Sequence, residues 1–262
     1  MAPSDSSKWD TETVDFYDRL AAGYAEQFAD WQASQDKQAA VLDRFLSSVC
    51  PARRGAVLDT ACGIGTQAIG LARLGYTVRG TDISAASIEQ ARRSAHAAGV
   101  DIEFGVADFR DLATLPDGFD AVVCCDNALP HLLTDADMLD ALRGMRARLR
   151  PGGLLLITTR DYDQARRDRA AGQAPRAFTD GQGRERMVLQ LWQWESEDTY
   201  HLRHVTLTRD GSTWQGTEHN VRYRAITRGE LTTLMRDAGL NHPRWHMPDS
   251  SGYYQPIVVA NA

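Results

Sequence analysis

The chain has 262 residues, a net charge of −6, and ordinary apolar and charged fractions of 43% and 24%. That length buries a full core, as one large or two small domains, without disulfide or metal support, and the negative balance leaves no electrostatic footprint for nucleic acid. No stretch is apolar enough to span a bilayer, and Met1 to Asp15 is polar and acidic with no signal-peptide core, so a cytoplasmic protein that acts away from membranes is expected.

In chain order, Met1 to Lys8 reads as a disordered tail. Phe16, Leu20, Tyr24, Phe28 and Trp31 recur at helical spacing and predict one helical stripe from Thr13 to Trp31. A second helix is predicted over Gln35 to Val49, with Val41, Leu42, Phe45 and Leu46 on one side, ended by Pro51 and the Arg53-Arg54-Gly55 turn. A regular alternation follows. Strands are predicted at Ala56 to Asp59, Thr77 to Thr81, Ile102 to Val106, Phe119 to Cys125 and Leu154 to Thr159. Helices lie between them at Gly65 to Leu74, Ala85 to Ala98 (closed by Gly99) and Asp135 to Leu149, with a turn at Pro151-Gly152-Gly153. This pattern predicts a doubly wound, mostly parallel α/β sheet with helices on both faces.

After Arg160 the pattern changes. Asp161 to Gly183 reads as loop with a short helix, and Arg166-Arg167-Asp168-Arg169 as a solvated face. Arg186 to Trp194, Tyr200 to Arg209 and Thr213 to Tyr223 alternate polar and apolar residues, as antiparallel strands covering one face do. A helix from Thr227 to Ala238 and strands around Arg244 to Met247 and Pro256 to Ala260 close the chain. The expected division is residues 1–160 as lid helices and cofactor-binding core, 161–226 as an antiparallel substrate cap, and 227–262 as the elements completing the core sheet.

Cys50, Cys62, Cys124 and Cys125 form no C-x-x-C pair, and adjacent cysteines rarely meet disulfide geometry; reduced thiols are expected, Cys124 as a small buried hydrophobe. His201 and His204 fall on opposite faces of a strand, so no metal is assigned.

Chemistry concentrates at the run Val57-Leu58-Asp59-Thr60-Ala61-Cys62-Gly63-Ile64-Gly65-Thr66. Glycines let the backbone approach a ligand closely, and the following helix offers free N–H groups. Gly63-Ile64-Gly65-Thr66-Gln67-Ala68 also fits the dinucleotide form G-x-G-x-x-A, with Asp82 beyond it for a ribose, which keeps an NAD-dependent oxidoreductase as an alternative. Three features favour S-adenosylmethionine (SAM). Asp59, at the strand end, suits an ammonium group and would repel a pyrophosphate. Asp108-Phe109 suits adenine, with an acceptor for its amine and a ring for its face. Asp126-Asn127-Ala128-Leu129-Pro130-His131 brings polar groups to a strand's carboxyl end, where open α/β sheets bind ligands.

On these residues the chain resembles a class I SAM-dependent methyltransferase. The D-x-A-x-G-x-G turn, Asp82, Asp108-Phe109 and Pro151-Gly152-Gly153 stand in the family's order over Asp15 to Thr159, with Ala61 where many members have glycine. The resemblance implies a Rossmann-like seven-stranded sheet in which Pro256 to Ala260 is the antiparallel strand, with SAM as cofactor and S-adenosylhomocysteine as product. Phe16-Tyr17-Asp18-Arg19-Leu20-Ala21, Tyr24, Phe28, Asp30-Trp31, Asp126 to Leu132 and Thr159-Arg160-Asp161-Tyr162 are further similar to bacterial glycine/sarcosine N-methyltransferase-like proteins. That likeness implies an N-terminal helical lid whose aromatics close over SAM.

The expected cofactor residues are Tyr17, Tyr24, Trp31, Asp59, Ala61, Gly63, Thr66, Asp82, Ile83, Asp108, Phe109 and Cys125, although a stripe such as that of Tyr24 and Trp31 packs as core by default. His131, Asp126 and Tyr24 are the catalytic candidates, His131 because imidazole titrates near neutral pH. Asn127, His131, Arg160, Tyr162, Trp192 and Tyr223 are the acceptor candidates. Arg160 suits a substrate carboxylate, and Trp192 and Trp194 share one face of a strand, either packing under the small sheet or walling the acceptor. The expected reaction is methyl transfer to the nitrogen of a small amine or amino acid such as glycine or sarcosine. The alternatives are an aromatic, indole-like carbon or nitrogen acceptor, NAD chemistry, or a SAM-binding regulator. The expected partner is a small-molecule acceptor, and homo-oligomers are left open.

Overall fold

The computed structural model describes residues 11–50 and 55–262; the tail expected over Met1 to Lys8 and the turn expected at Pro51 to Arg54 lie outside them. The main sheet has seven strands. β1 (Ala56–Asp59), β2 (Thr77–Asp82), β3 (Glu103–Val106), β4 (Phe119–Cys124) and β5 (Leu149–Thr158) run parallel. The helices between them are α3 (Thr66–Arg73), α4 (Ala85–Ala98) and α5 (Asp135–Arg148). Beyond β5, α7 (Arg228–Asp237) leads to β10 (Asn241–His246) and β11 (Ile257–Asn261), and β11 runs antiparallel to both β5 and β10. The strand order is β10-β11-β5-β4-β1-β2-β3, and the antiparallel strand is the one expected.

Side-chain alternation divides the core into two halves. Val122 and Cys124 of β4 point to one face, where α5 and α7 pack; Ala121 and Val123 point to the other, under α2 (Trp31–Leu46), α3 and α4. Both faces are covered, so the central strands are apolar throughout. The best-predicted helix, α4, has both its signals in the sequence. The Ser84 hydroxyl accepts the Ser87 N–H, and Gly99 ends the helix with φ +68°, the left-handed region glycine enters without penalty.

Three expectations are corrected. The stripe from Thr13 to Trp31 is not one helix. α1 (Thr11–Leu20) passes into a 3-10 segment (Ala21–Gln27), Phe28 is extended, and Asp30 caps α2 by accepting the Ala33 N–H. α2 therefore starts before Gln35 and ends at Leu46. Helical periodicity runs straight through because it does not register a cap. Pro151-Gly152-Gly153 is no free turn but an irregularity within β5, where the pairing with β4 shifts register and Gly152 takes φ +75°. The stretch before Gly183 holds its expected short helix, α6 (Tyr162–Asp168), but where loop was expected it forms a strand, β6 (Gly172–Thr179), whose exposed, polar sequence lacks the alternation that marks a half-buried strand.

β6 joins β7 (Glu185–Trp194), β8 (Thr199–Asp210) and β9 (Thr213–Arg224) in an antiparallel sheet of order β6-β7-β8-β9. In the basic run, Arg167 is solvated, but Arg166 pairs with Glu230 at 2.9 Å and Arg169 lies over the Trp194 ring at 4.4 Å. The N-terminal segment is fastened to this small sheet. Glu12 of α1 pairs with Arg222 of β9 at 2.8 Å, and Glu26 in the 3-10 segment pairs with Arg184 and Arg186 of the β6–β7 hairpin.

Gly70 lies mid-helix in α3, where glycine ordinarily costs about 1 kcal/mol against alanine. A Cβ there would sit 2.8 Å from both the Gln35 carbonyl oxygen and the Ala39 Cβ of α2. Close approach of the two helices thus outweighs helix propensity. Gly70→Ala should lower stability by about 1–3 kcal/mol in urea melts; a stabilised variant would show that α2 can yield.

Candidate active site

The strand order reverses at β1, which has β4 on one side and β2 on the other. A crevice outside the carboxyl ends of the strands follows from this topology. It opens beside the glycine turn, with an empty volume of about 890 Å³. Gly63 (φ +51°) and Gly65 (φ +94°) both hold left-handed backbone, and a Cβ on Gly63 would meet only open space.

Asp82 governs the turn. Its Oδ2 accepts the Gly63 N–H at 2.8 Å and its Oδ1 the Ser84 N–H at 2.9 Å. A carboxylate has about four acceptor sites, so Asp82, which lines the cavity, keeps acceptor capacity beyond these two bonds. Asp59 is the opposite case. It is fully buried, its Oδ1 receives only a long 3.4 Å contact from the Ala61 N–H, and its Oδ2 has no partner. Burial pushes its pKa up to about 8, with the charges of Asp82 and Asp126 adding to the effect.

Of the expected cofactor residues, Tyr17, Tyr24, Ala61, Gly63, Thr66, Asp82, Ile83, Asp108, Phe109 and Cys125 line this cavity; Trp31 and Asp59 stand behind it. Trp31 acts on the turn indirectly, its indole N–H donating to the Thr66 hydroxyl at 3.1 Å. Asp108 carries a partner that the sequence reading missed. Both of its oxygens accept from the Arg110 guanidinium, at 2.6 to 3.1 Å, and Oδ1 also takes the Arg110 N–H. Arg110 two residues on was the available signal.

A second, larger chamber adjoins the first, and Tyr24 and Asp126 line both. Asp126 and Asn127 hold consecutive left-handed backbone, φ +57° and +67°, at the end of β4. The Asp126 Oδ1 accepts the Tyr254 hydroxyl and lies 3.0 Å from that of Tyr253, and burial raises its pKa. The Tyr253-Tyr254 doublet before β11 carried no periodic signal and was missed.

Arg160 lines the second chamber. It is half-buried between the rings of Trp192 (5.3 Å) and Tyr223 (4.9 Å), and it donates to the Tyr200 hydroxyl at 2.8 Å and to Gln190 Oε1 at 3.1 Å. Among the described residues no carboxylate pairs with it. The remaining acceptor candidates support it from behind. Asn127 Oδ1 accepts the Arg160 N–H at 3.0 Å, and Asn127 Nδ2 donates to the Tyr162 hydroxyl at 2.9 Å. Trp192 stacks on Tyr200 at 4.5 Å. Asn127, Tyr162, Trp192 and Tyr223 line neither chamber. His131 faces the first chamber, hydrogen-bonded to the Tyr17 hydroxyl at 2.8 Å. Burial, then the charge of Arg160, lowers its pKa to about 3, so it is neutral at physiological pH. All four cysteines are buried and unpaired, and the described residues contain no metal-binding cluster. No described helix is long and apolar enough to cross a membrane.

The family described as Methyltransferase domain matches residues 57–153. The chain is 31% identical over 185 residues to the cypemycin N-terminal methyltransferase of a Streptomyces species, covering 71% of this chain and 68% of that one. It is 31% identical over 151 residues to the glycine/sarcosine N-methyltransferase of Parasynechococcus marenigrum, covering 57% and 51%. The matches to other curated methyltransferases span less than half of those proteins, 42% and 47% of their length. The fold is that of the sugar N-methyltransferase of a Streptoalloteichus species, with TM-score 0.71 and 22% identity over 100% of this chain and 98% of that one.

Because Asp59 is buried chiefly as the acid, its ionisation opposes folding. The unfolded chain ionises near the ordinary value of 3.8, so this contribution is full below that pH and is lost as pH rises toward about 8. In the ligand-free protein at neutral pH, Asp59→Asn should raise stability by roughly 1–3 kcal/mol, and the gain should vanish in acid. Urea melts across pH check this; a variant no more stable at neutral pH would contradict an unpartnered acid.

Proposed function

Since the chain belongs to the SAM-dependent methyltransferase family, we propose that it methylates the nitrogen of a small amine that carries a carboxylate, as glycine and sarcosine do. One observation carries the acceptor: a half-buried guanidinium without a carboxylate, Arg160, lines the same chamber as the half-buried carboxylate Asp126. A zwitterion presents the two complementary charges. The likeness to a glycine/sarcosine N-methyltransferase supports the same class.

The residues of the first chamber fit SAM. Phe109 offers a face to adenine and Asp82 acceptor capacity to ribose hydroxyls, and behind the wall the unpartnered Asp59 Oδ2 supplies a carboxyl that a nearby cation would ionise. Bound there, SAM supplies a methyl group made electrophilic by its sulfonium. The protein's part is alignment and dryness. Holding the amine against the boundary formed by Tyr24 and Asp126 draws on proximity, which supplies roughly 7–11 kcal/mol in well-oriented reactions. The lid and cap keep water from the boundary. The amine loses its proton before attack, and Asp126, with its raised proton affinity and a place in both chambers, is the group suited to take it. His131, neutral and bonded to Tyr17, orients the wall rather than receiving a proton.

SAM and S-adenosylhomocysteine should raise the melting temperature of the protein and NAD should not; stabilisation by NAD alone overturns the cofactor. Arg160→Lys keeps the charge and loses the fork. It should raise KM for carboxylate-bearing amines about tenfold or more and leave KM for an amine lacking the carboxylate nearly unchanged. Equal losses on both would assign Arg160 another role.

A further inference from the structure

Glycine would leave most of the second chamber empty, since the chamber has a volume of about 1930 Å³ including its open mouth. Among the described residues, Val106, Leu191, Trp214 and Tyr254 are the exposed large hydrophobics, and of these only Tyr254 lines the chamber shared by Arg160 and Asp126. Tyr254 is 58% exposed, yet its hydroxyl reaches inward to Asp126. A single exposed apolar side chain ordinarily means little; one tied by its hydroxyl to a half-buried carboxylate of the site is held in place.

The ring is also backed. It stacks on Tyr253 with centroids 4.8 Å apart and planes 26° apart. Tyr253 is buried and fixed at its far end, its hydroxyl lying within hydrogen-bond distance of both Gln38 Oε1 (2.7 Å) and Asp126 Oδ1 (3.0 Å), to one of which it donates. Tyr254 thus presents a rigid aromatic face to the chamber, where Tyr24, Phe28 and Met247 also contribute apolar surface. Sites lined by apolar and aromatic groups with a few placed charges select ligands that are apolar in body and polar at one end.

On the reading above, in which an amine lies between Asp126 and Arg160, we propose that Tyr254 determines acceptor specificity by stacking on the planar side group of an aromatic amino acid. The ammonium faces Asp126, the carboxylate faces Arg160, and the aromatic ring lies against Tyr254. Offset-stacked and edge-on aromatic pairs both satisfy this arrangement. Tyr254 is a positioning and selecting residue; its stack on Tyr253 holds the plate, and its hydroxyl bond to Asp126 is dispensable to that role.

The test compares the full-length enzyme with Tyr254→Ala and Tyr254→Phe. Tryptophan, phenylalanine, glycine and sarcosine are offered with SAM, and the ratio of kcat/KM for tryptophan to that for glycine is read. The ratio should fall about tenfold or more in Tyr254→Ala, mainly through KM. It should recover in Tyr254→Phe, which keeps the ring and loses the hydroxyl. A ratio unchanged in Tyr254→Ala, or lost equally in Tyr254→Phe, overturns the proposal. Calorimetric binding of tryptophan and glycine to the S-adenosylhomocysteine complex separates this inference from the broader reading. If no amine is methylated, the acceptor reading fails. Tyr254 is then decided by binding alone: selective weakening of tryptophan in Tyr254→Ala supports the plate, and equal or absent binding sinks it.

Discussion

Both oxygens of Asp82 are taken by backbone N–H groups, Gly63 on one side and Ser84 on the other. This carboxylate welds the end of β2 to the turn that follows β1, beside the main-chain bonds that the Cys62 N–H gives to Thr81 and the Gly65 N–H gives to Cys62. Trp31 adds a further restraint from outside, through Thr66 at the start of α3. The result is a rigid cradle containing one deliberately incomplete group, Asp59, whose free oxygen would be a liability in a structural core. Its cost is borne at the point where a cation is expected.

The second chamber uses the opposite logic. Its cation, Arg160, is already sandwiched and hydrogen-bonded, but by neutral groups. Hydroxyls and ring faces steady a guanidinium without neutralising it. Asn127 and Tyr162, which line neither chamber, earn their place by fixing the backbone and the hydroxyl network around that charge. Distance from the cavity therefore does not separate supporting residues from idle ones.

The alternating half of the fold was legible because each element carried its own boundary signal. β1 and α4 have the limits read from sequence, and the antiparallel strand falls where expected. The N-terminal segment was misread as one helix because Phe16 through Trp31 keep their spacing across a 3-10 stretch and a cap at Asp30. β6 was invisible because it is an exposed strand with no hydrophobic alternation. In the site, residues adjacent to motifs were found, and their tertiary partners were not. Tyr200, Gln190 and the Tyr253-Tyr254 pair come from elsewhere in the chain or carry no pattern, and only the fold brings them to Arg160 and Asp126; Arg110 stands two residues from Asp108 and was readable there.

Glu26 sits in the same 3-10 segment as Tyr24 and is held by Arg184 and Arg186 of the β6–β7 hairpin, while Glu12 is held by Arg222 of β9. The segment over the first chamber and the sheet over the second are thus geared together. A shift of the 3-10 segment as a body carries the hairpin with it or parts these ion pairs, so the walls of the two compartments are tied to each other.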